Sequence, residues 1–298
     1  MAETNIEWCD YSFNAWWGCT KVSPACDHCY AETWAKRTGF ANLWGPDAER
    51  RTFTSKHWAE PFKWQRKHLD SRGNFAKRPR VFCNSMADVF DNHPSVTEPR
   101  EHLWRVIRET PALDWLVLTK RIGNAKSMLP ADWGDGYPNV WLGISVVNQV
   151  EAGRDIPKLL ETPAAKRFLS CEPLLGRVDL FAFERGVCTV CAGAGEVAAS
   201  GPTTTFPEDD DGVERCQECR GTGKWEDNPG LDWVIAGGES GGGARSMDIV
   251  WADILRRECA NQKIPFFMKQ LSQADSKDYK DFENFPRELR VREWPKPL

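Results

Sequence analysis

The chain has 298 residues, 41% of them hydrophobic, and a formal net charge of -4. That length and apolar content exclude a disordered polypeptide and allow one barrel-sized domain with a small appendage, while the acidic balance excludes a uniformly basic nucleic-acid coat. No apolar run approaches the roughly 20 residues of a membrane span, and Glu3 and Glu7 stand where a secretory signal would carry basic residues, so a soluble cytoplasmic protein without membrane contact is expected. Nearly continuous apolar runs, rich in β-branched and aromatic residues, predict strands at residues 13–17, 81–84, 115–119, 140–145, 167–170, 233–236 and 265–268. Runs of this kind suit strands covered on both faces, as in a parallel sheet. Residues 31–37, 98–109, 152–160 and 249–261 have helical composition and spacing. The alternation predicts an α/β fold: a complete or partial parallel (β/α) barrel of the TIM type, or an open doubly wound sheet.

Chemically equipped residues follow the predicted strands. They are Cys19, Cys26 and Cys29 after the first, Asn84, Ser85 and Asp88 after the second, and Lys120 and Arg121 after the third. Ser145 and Asn148, then Glu172, then Gly237, Gly238, Glu239 and Ser240, and finally Lys269 and Gln270 continue the series. A barrel brings such positions to one mouth, whereas an open sheet strings them along an edge; their number favours the barrel.

Residues 186–228 break the pattern with a turn-rich, acidic composition that cannot supply a buried strand, so the chain reads as barrel (1–185), insert (186–228) and barrel again (229–298). Within the insert, Cys188-x2-Cys191 and Cys216-x2-Cys219 form two thiolate pairs, the ligand set of a tetrahedral zinc site with no open position and therefore a structural role. Glycines follow each pair at Gly193 and Gly195 and at Gly221 and Gly223, allowing tight turns around the sulfurs. So short and polar a segment needs a metal to fold. The pattern resembles the cysteine-rich repeats of DnaJ-type chaperones, over the insert alone.

The N-terminal cysteines differ, because Cys19-x6-Cys26-x2-Cys29 has no obvious fourth thiolate. A cubane [4Fe-4S] cluster takes one protein thiolate per iron, so three leave one iron open to chelate the amino and carboxylate groups of S-adenosylmethionine (SAM). Zinc, with Cys9 or His28 as a fourth ligand, is the alternative. Cys9, Cys83, Cys171 and Cys259 stand apart and read as ordinary buried thiols.

On Ile6-Glu7-Trp8, the cysteine loop through Tyr30, Cys171-Glu172-Pro173-Leu174, Gly237 to Gly241 and Phe267-Met268-Lys269-Gln270, the chain resembles the radical SAM superfamily, and more closely a phage and bacterial three-cysteine-motif family of poorly assigned function. The resemblance implies an iron-sulfur enzyme that generates an adenosyl radical, abstracts hydrogen from a substrate and depends on an external electron donor. It departs from the superfamily's usual spacing, which has three residues between the first two cysteines where this chain has six. His28 stands where an aromatic residue packs on adenine. Gly237, Gly238, Glu239 and Ser240 are assigned to the methionine or ribose part of SAM, although the superfamily's Gly-Gly-Glu follows the second strand, and the bland alternative is an ordinary turn.

Glu172 and Lys269 are the candidate catalytic residues, with a helix cap as the alternative for Glu172 and a solvated lysine for Lys269. Asn84 and Ser85 are candidate cofactor contacts. Between Arg50 and Arg80, ten Lys/Arg stand against Glu60 and Asp70, interleaved with aromatic residues. This segment suits either a nucleic-acid substrate or an amphipathic cover for the barrel. A non-catalytic nucleic-acid-binding protein with two zinc sites is the rival function; a metal-dependent hydrolase lacks a His and carboxylate cluster.

Overall fold

The computed structural model describes residues 4–296 except 76, 189, 195, 199–212, 218–223 and 225–227. In chain order the strands are β1 (Tyr11–Phe13), β2 (Arg80–Cys83), β3 (Asp114–Thr119), β4 (Val140–Ser145), β5 (Lys166–Cys171), β6 (Glu196–Ala198), β7 (Val213–Arg215), β8 (Trp233–Gly237) and β9 (Phe266–Gln270). The α-helices are α1 (Tyr30–Arg37), α2 (Ser55–Trp58), α3 (Glu60–His68), α4 (Thr97–Glu109), α5 (Ala125–Met128), α6 (Gln149–Glu161) and α7 (Ile249–Asn261).

One sheet runs β1-β2-β3-β4-β5-β8-β9, every pair parallel, and β6 and β7 form a separate antiparallel hairpin in the insert. The strand order never reverses, so every crossover advances the same way and the helices cover one face only. That face carries a continuous core in which Trp115, Val117, Leu142, Leu169 and Val234 meet Leu103 and Ile107 of α4, Ile156 and Leu159 of α6, and Leu255 of α7.

Among the described residues no helix covers the other face, which buries itself by curling. Its core holds Trp8 from the chain before β1, with Phe82, Leu116, Trp141, Phe168, Trp233 and Phe267 from the alternate positions of β2, β3, β4, β5, β8 and β9. In a flat sheet β2 and β8 would lie roughly 19 Å apart, four strand spacings. The ring of Trp8 nevertheless sits 4.6 Å from Phe82 and 6.3 Å from Trp233, centroid to centroid. The result is a half-barrel, partial and not closed: β1 does not pair with β9.

The free edge of β9 is guarded by an antiparallel tail, with Met268 N–H donating to Val291 O at 2.8 Å and Glu293 N–H to Phe266 O at 2.9 Å. Trp294 then packs on Phe267 and beneath the Arg80 guanidinium of β2, reaching across the gap between the sheet's two ends.

Six of the seven expected strands fall where the apolar runs place them. The first begins and ends earlier than the expected 13–17, because Ala15 and Trp16 are buried as loop, and Trp17 pairs with Arg51 in an isolated antiparallel bridge. Asn148, grouped with the mouth residues from sequence, is a helix cap: its side chain accepts from Glu151 N–H at 3.0 Å and starts α6. The insert leaves and returns at one point, where the buried Asn228 amide donates to Glu184 O and Val187 O.

Candidate functional site at the mouth

Along the inward face the lumen changes character. The lower inward residues of β2 to β5, β8 and β9 make the largely aromatic floor; above it come Ser12, Ser145, Ser170 and Lys269 and, just beyond β2 and β3, Asn84 and Lys120. Polar groups therefore gather at the C-terminal end of the strands, where the loops of a (β/α) fold converge.

The cysteine loop lies over this end. Gly18, at φ +111°, precedes Cys19, and a Cβ there would come within 2.5 Å of Leu43 O, so only glycine lets the loop pass. Arg50, its side chain 0% exposed, fastens the same turn: it pairs with Asp91 at 2.8 Å and donates to Gly45 O, Ala48 O and Thr20 Oγ1. Cys26 closes a short 3-10 turn that Ser23 caps, and Cys29 occupies the N-cap position of α1.

From there the loop is tied to strands on both sides of the mouth. Tyr30 Oη donates to Ser85 O at 2.7 Å, after β2. Arg121, after β3, stands 3.4 Å from Cys19 Sγ and 3.3 Å from Asp88. His28 Nδ1 lies 2.9 Å from Glu239 Oε2, after β8, and Arg245 pairs with Glu239 while donating to Pro24 O of the cysteine loop. Burial alone would raise the Glu239 carboxyl, but hydrogen bonds from Arg245 and His28 outweigh it and hold the group below its ordinary range. Burial pushes the Cys19 thiol up to about 11, against the pull of Arg121.

Asn84 is 3% exposed, and its orientation is set by its neighbours: Oδ1 accepts the Ala15 N–H at 2.9 Å, which leaves Nδ2 as the donor, buried and without a partner. A buried donor left unpaired costs about 1–3 kcal/mol, which a ligand with an acceptor atom would recover. Glu172 accepts from Ser170 at 3.1 Å and pairs with Lys269 at 3.1 Å. No α-helix follows Glu172 directly, so it does not serve as a helix cap. Burial opposes the charge on Lys269, but Glu172 outweighs it and the ammonium is held above its usual pKa.

Gly238, just after β8, has structural work. A Cβ on Gly238 would stand 2.2 Å from Ser272 N, so this glycine is required by backbone packing against the chain beyond β9. Ser240 is half-buried at the rim.

The two cysteine groups differ in geometry. Sγ atoms of Cys188, Cys191 and Cys216 lie within 4.8 Å of one another, all buried. The Cys188 and Cys216 sulfurs are 3.8 Å apart. That is about the edge of a tetrahedron with metal–sulfur bonds of ~2.3 Å, so this trio could hold a metal ion. Cys219, the fourth thiolate expected from sequence, lies outside the described residues, as do Gly195, Gly221 and Gly223.

Among the described residues no such close trio forms from Cys19, Cys26 and Cys29, which are half-buried. Of the fourth zinc ligands expected from sequence, Cys9 belongs to the aromatic floor, while His28 has its Nδ1 on Glu239 and its Nε2 uncommitted by that contact. Cys9, Cys83, Cys171 and Cys259 are buried as expected, and burial raises their thiols, Cys9 to about 12.

Much of the basic segment is committed within the fold. Arg50 pairs with Asp91, Lys63 with Glu60, Arg78 with Asp114 and Arg80 with Asp10, while Arg51 packs over Trp17 and Phe40. The cover reading fits this arrangement, with Trp58 and Trp64 buried beneath.

Residues 3–296 match a family model described as a protein of unknown function, DUF5131. The chain belongs to that family. No curated protein and no solved structure matches it. Sequence reasoning missed Arg245, Ser12 and Asn14 as parts of the mouth. Asn14 donates to Ser85 Oγ at 3.0 Å and accepts from Met86 N–H at 2.6 Å, ordering the turn after β2. With β1 placed two residues earlier, the alternation of Ser12 and Asn14 against Tyr11 and Phe13 would have revealed both.

Proposed function

We propose that this DUF5131 chain is an iron-sulfur enzyme of radical SAM type that abstracts hydrogen from a substrate at the mouth of the half-barrel. The observation carrying this reading is the position of the three-cysteine loop: it follows β1, crosses the C-terminal end of a parallel sheet and is tied to the loops after β2, β3 and β8. The donor set also fits in kind, with the half-buried thiols of Cys19, Cys26 and Cys29, all on one loop, as the cluster ligands. The chemistry such a cluster supplies when bound is one-electron reduction of the sulfonium of SAM, giving an adenosyl radical.

The protein's own part is to position and shield. Asn84 Nδ2 donates to a ligand acceptor atom in the lumen, and Lys269 holds its proton against Glu172, offering a fixed ammonium. The aromatic floor closes the opposite end and keeps water from the reacting centre. Tyr30, His28, Glu239 and Arg245 hold the cysteine loop in place. Electrons come from an external donor. In the insert, Cys188, Cys191 and Cys216 with Cys219 hold a structural zinc.

Anaerobically reconstituted protein should be brown, carry about four irons and four sulfides beside one zinc, and release deoxyadenosine from SAM when a strong reductant is added. A full cluster without deoxyadenosine removes the radical assignment. Colourless protein with two zinc ions per chain supports a non-catalytic nucleic-acid-binding protein instead.

A further inference from the structure

Beside the mouth lies a cleft of about 650 Å³, within the size range of small-molecule sites. Its walls come from the cysteine loop (Thr20, Val22), the chain after β2 (residues 91–94), the chain after β3 (residues 120–124) and α6. In a protein of net charge -4 its lining is strongly cationic, with five Lys/Arg against the carboxylates of Asp91 and Asp155.

The cations fall into two sets. Arg50 and Arg121 are buried and spent on fixing the loops, Arg50 on Asp91 and Arg121 on Asp88. Arg154 and Lys158, one turn apart on α6, are about half exposed at 50% and 44%, and share Asp155 at 2.5 and 3.1 Å. Arg154 also lies 3.8 Å from Glu151, so both α6 cations have carboxylate partners on their inner side while their half-exposed heads stay open to the cleft. Lys120 donates to Ser145 Oγ at 3.2 Å, and among the described residues no carboxylate lies within ion-pair distance of it. The cation without a carboxylate partner is therefore at the inner end, on Lys120, and the open wall adds two half-exposed cations that an anion can reach from solvent. Apolar surface from Val22, Pro46, Pro94 and Ile122 flanks it.

The inner end is also the cysteine end. Arg121 lines the cleft and stands 3.4 Å from Cys19 Sγ, and Lys120 lines the cleft while its ammonium reaches into the lumen. A ligand anchored by an anionic group on α6 would extend toward the mouth. Phosphate esters combine an anion for Arg154, Lys158 and Lys120 with a sugar and base for the apolar flank.

We infer that this cleft binds the phosphate of the substrate, which is a nucleotide, either free or within a strand. The inference rests on the proposed function for what happens at the mouth, but phosphate binding itself needs no cluster.

Calorimetric titration of the full chain with inorganic pyrophosphate tests it. The double variant Arg154→Ala/Lys158→Ala should weaken binding about tenfold or more. The control Arg256→Ala/Arg257→Ala removes two cations that share Asp253 in the same manner on α7, and should change binding less than twofold. Absence of pyrophosphate binding in the unmodified chain, or equal weakening by both variants, overturns the inference. A 5′-mononucleotide and a single-stranded oligonucleotide then separate the two sources: whichever binds more tightly than pyrophosphate, with the same loss in the α6 variant, is the substrate form. Deoxyadenosine formation without pyrophosphate binding sinks this inference alone. Pyrophosphate binding in a chain that makes no deoxyadenosine sinks the radical reading alone.

Discussion

Two groups of cysteines in one chain make opposite use of the same side chain. Cys188, Cys191 and Cys216 are buried and close enough to share one ion, in a segment with a two-strand hairpin and little apolar material of its own. Cys19, Cys26 and Cys29 are half-buried and more widely spread, and an extensive scaffold of side chains holds their loop. One trio could share an ion in a segment with little else to order it; the other sits on a loop that the chain after β2, β3 and β8 already ties down.

The sharpest way to break this contrast is to remove ligands from each group in turn. Cys19→Ala, Cys26→Ala or Cys29→Ala should reduce iron, sulfide and deoxyadenosine to background while zinc content stays unchanged, as metal analysis and product chromatography will read. Loss of zinc in these variants would mean that the groups are not independent. Cys216→Ser should do the converse, releasing zinc and making residues 186–228 sensitive to limited proteolysis while iron is retained. Structural zinc contributes ~10–16 kcal/mol in isolated zinc-binding peptides, so the hairpin is not expected to survive without it.

Arg50→Met tests the scaffold. It strands the Asp91 carboxylate, 1% exposed, without its partner, which costs about 3–5 kcal/mol. By differential scanning calorimetry Tm should fall by roughly 10 °C, and iron content should fall with it while zinc does not.

The smallest expected effect concerns the frame remote from both groups. Burial raises the Asp114 carboxyl to about 6, partly opposed by Arg78. Its folded pKa lies above the unfolded value near ~3.9, so its contribution is complete below that value and is lost as pH rises through about 6. Asp114→Asn should therefore hold its Tm between pH 4.5 and 7.5 while the unmodified chain declines, a gap of about 1–3 kcal/mol. Parallel profiles would contradict the shift.

The half-barrel was legible because its strands are short apolar runs and its helices have regular spacing; α7 falls on the expected 249–261. The curl was not, since it arises when Trp8 reaches Phe82 and Trp233 across the sheet. Likewise the cysteines and Glu239 stood out as residue types, but Arg245, which braces them, did not. Nothing local marks an arginine that acts on a loop more than two hundred residues away, Pro24 O accepting its hydrogen bond at 3.0 Å. Arg50 shows the same limit. In sequence it is one of ten basic residues in a charged segment, and in the fold it is buried against Asp91.

The tail that runs along β9 and sets Trp294 between Phe267 and Arg80 is synthesised after every strand it protects. Were residues 291–294 to peel away, the outer rim of β9 would offer unpaired amides and carbonyls to any neighbouring polypeptide. That short clasp is thus what stands between an open half-barrel and strand-to-strand aggregation.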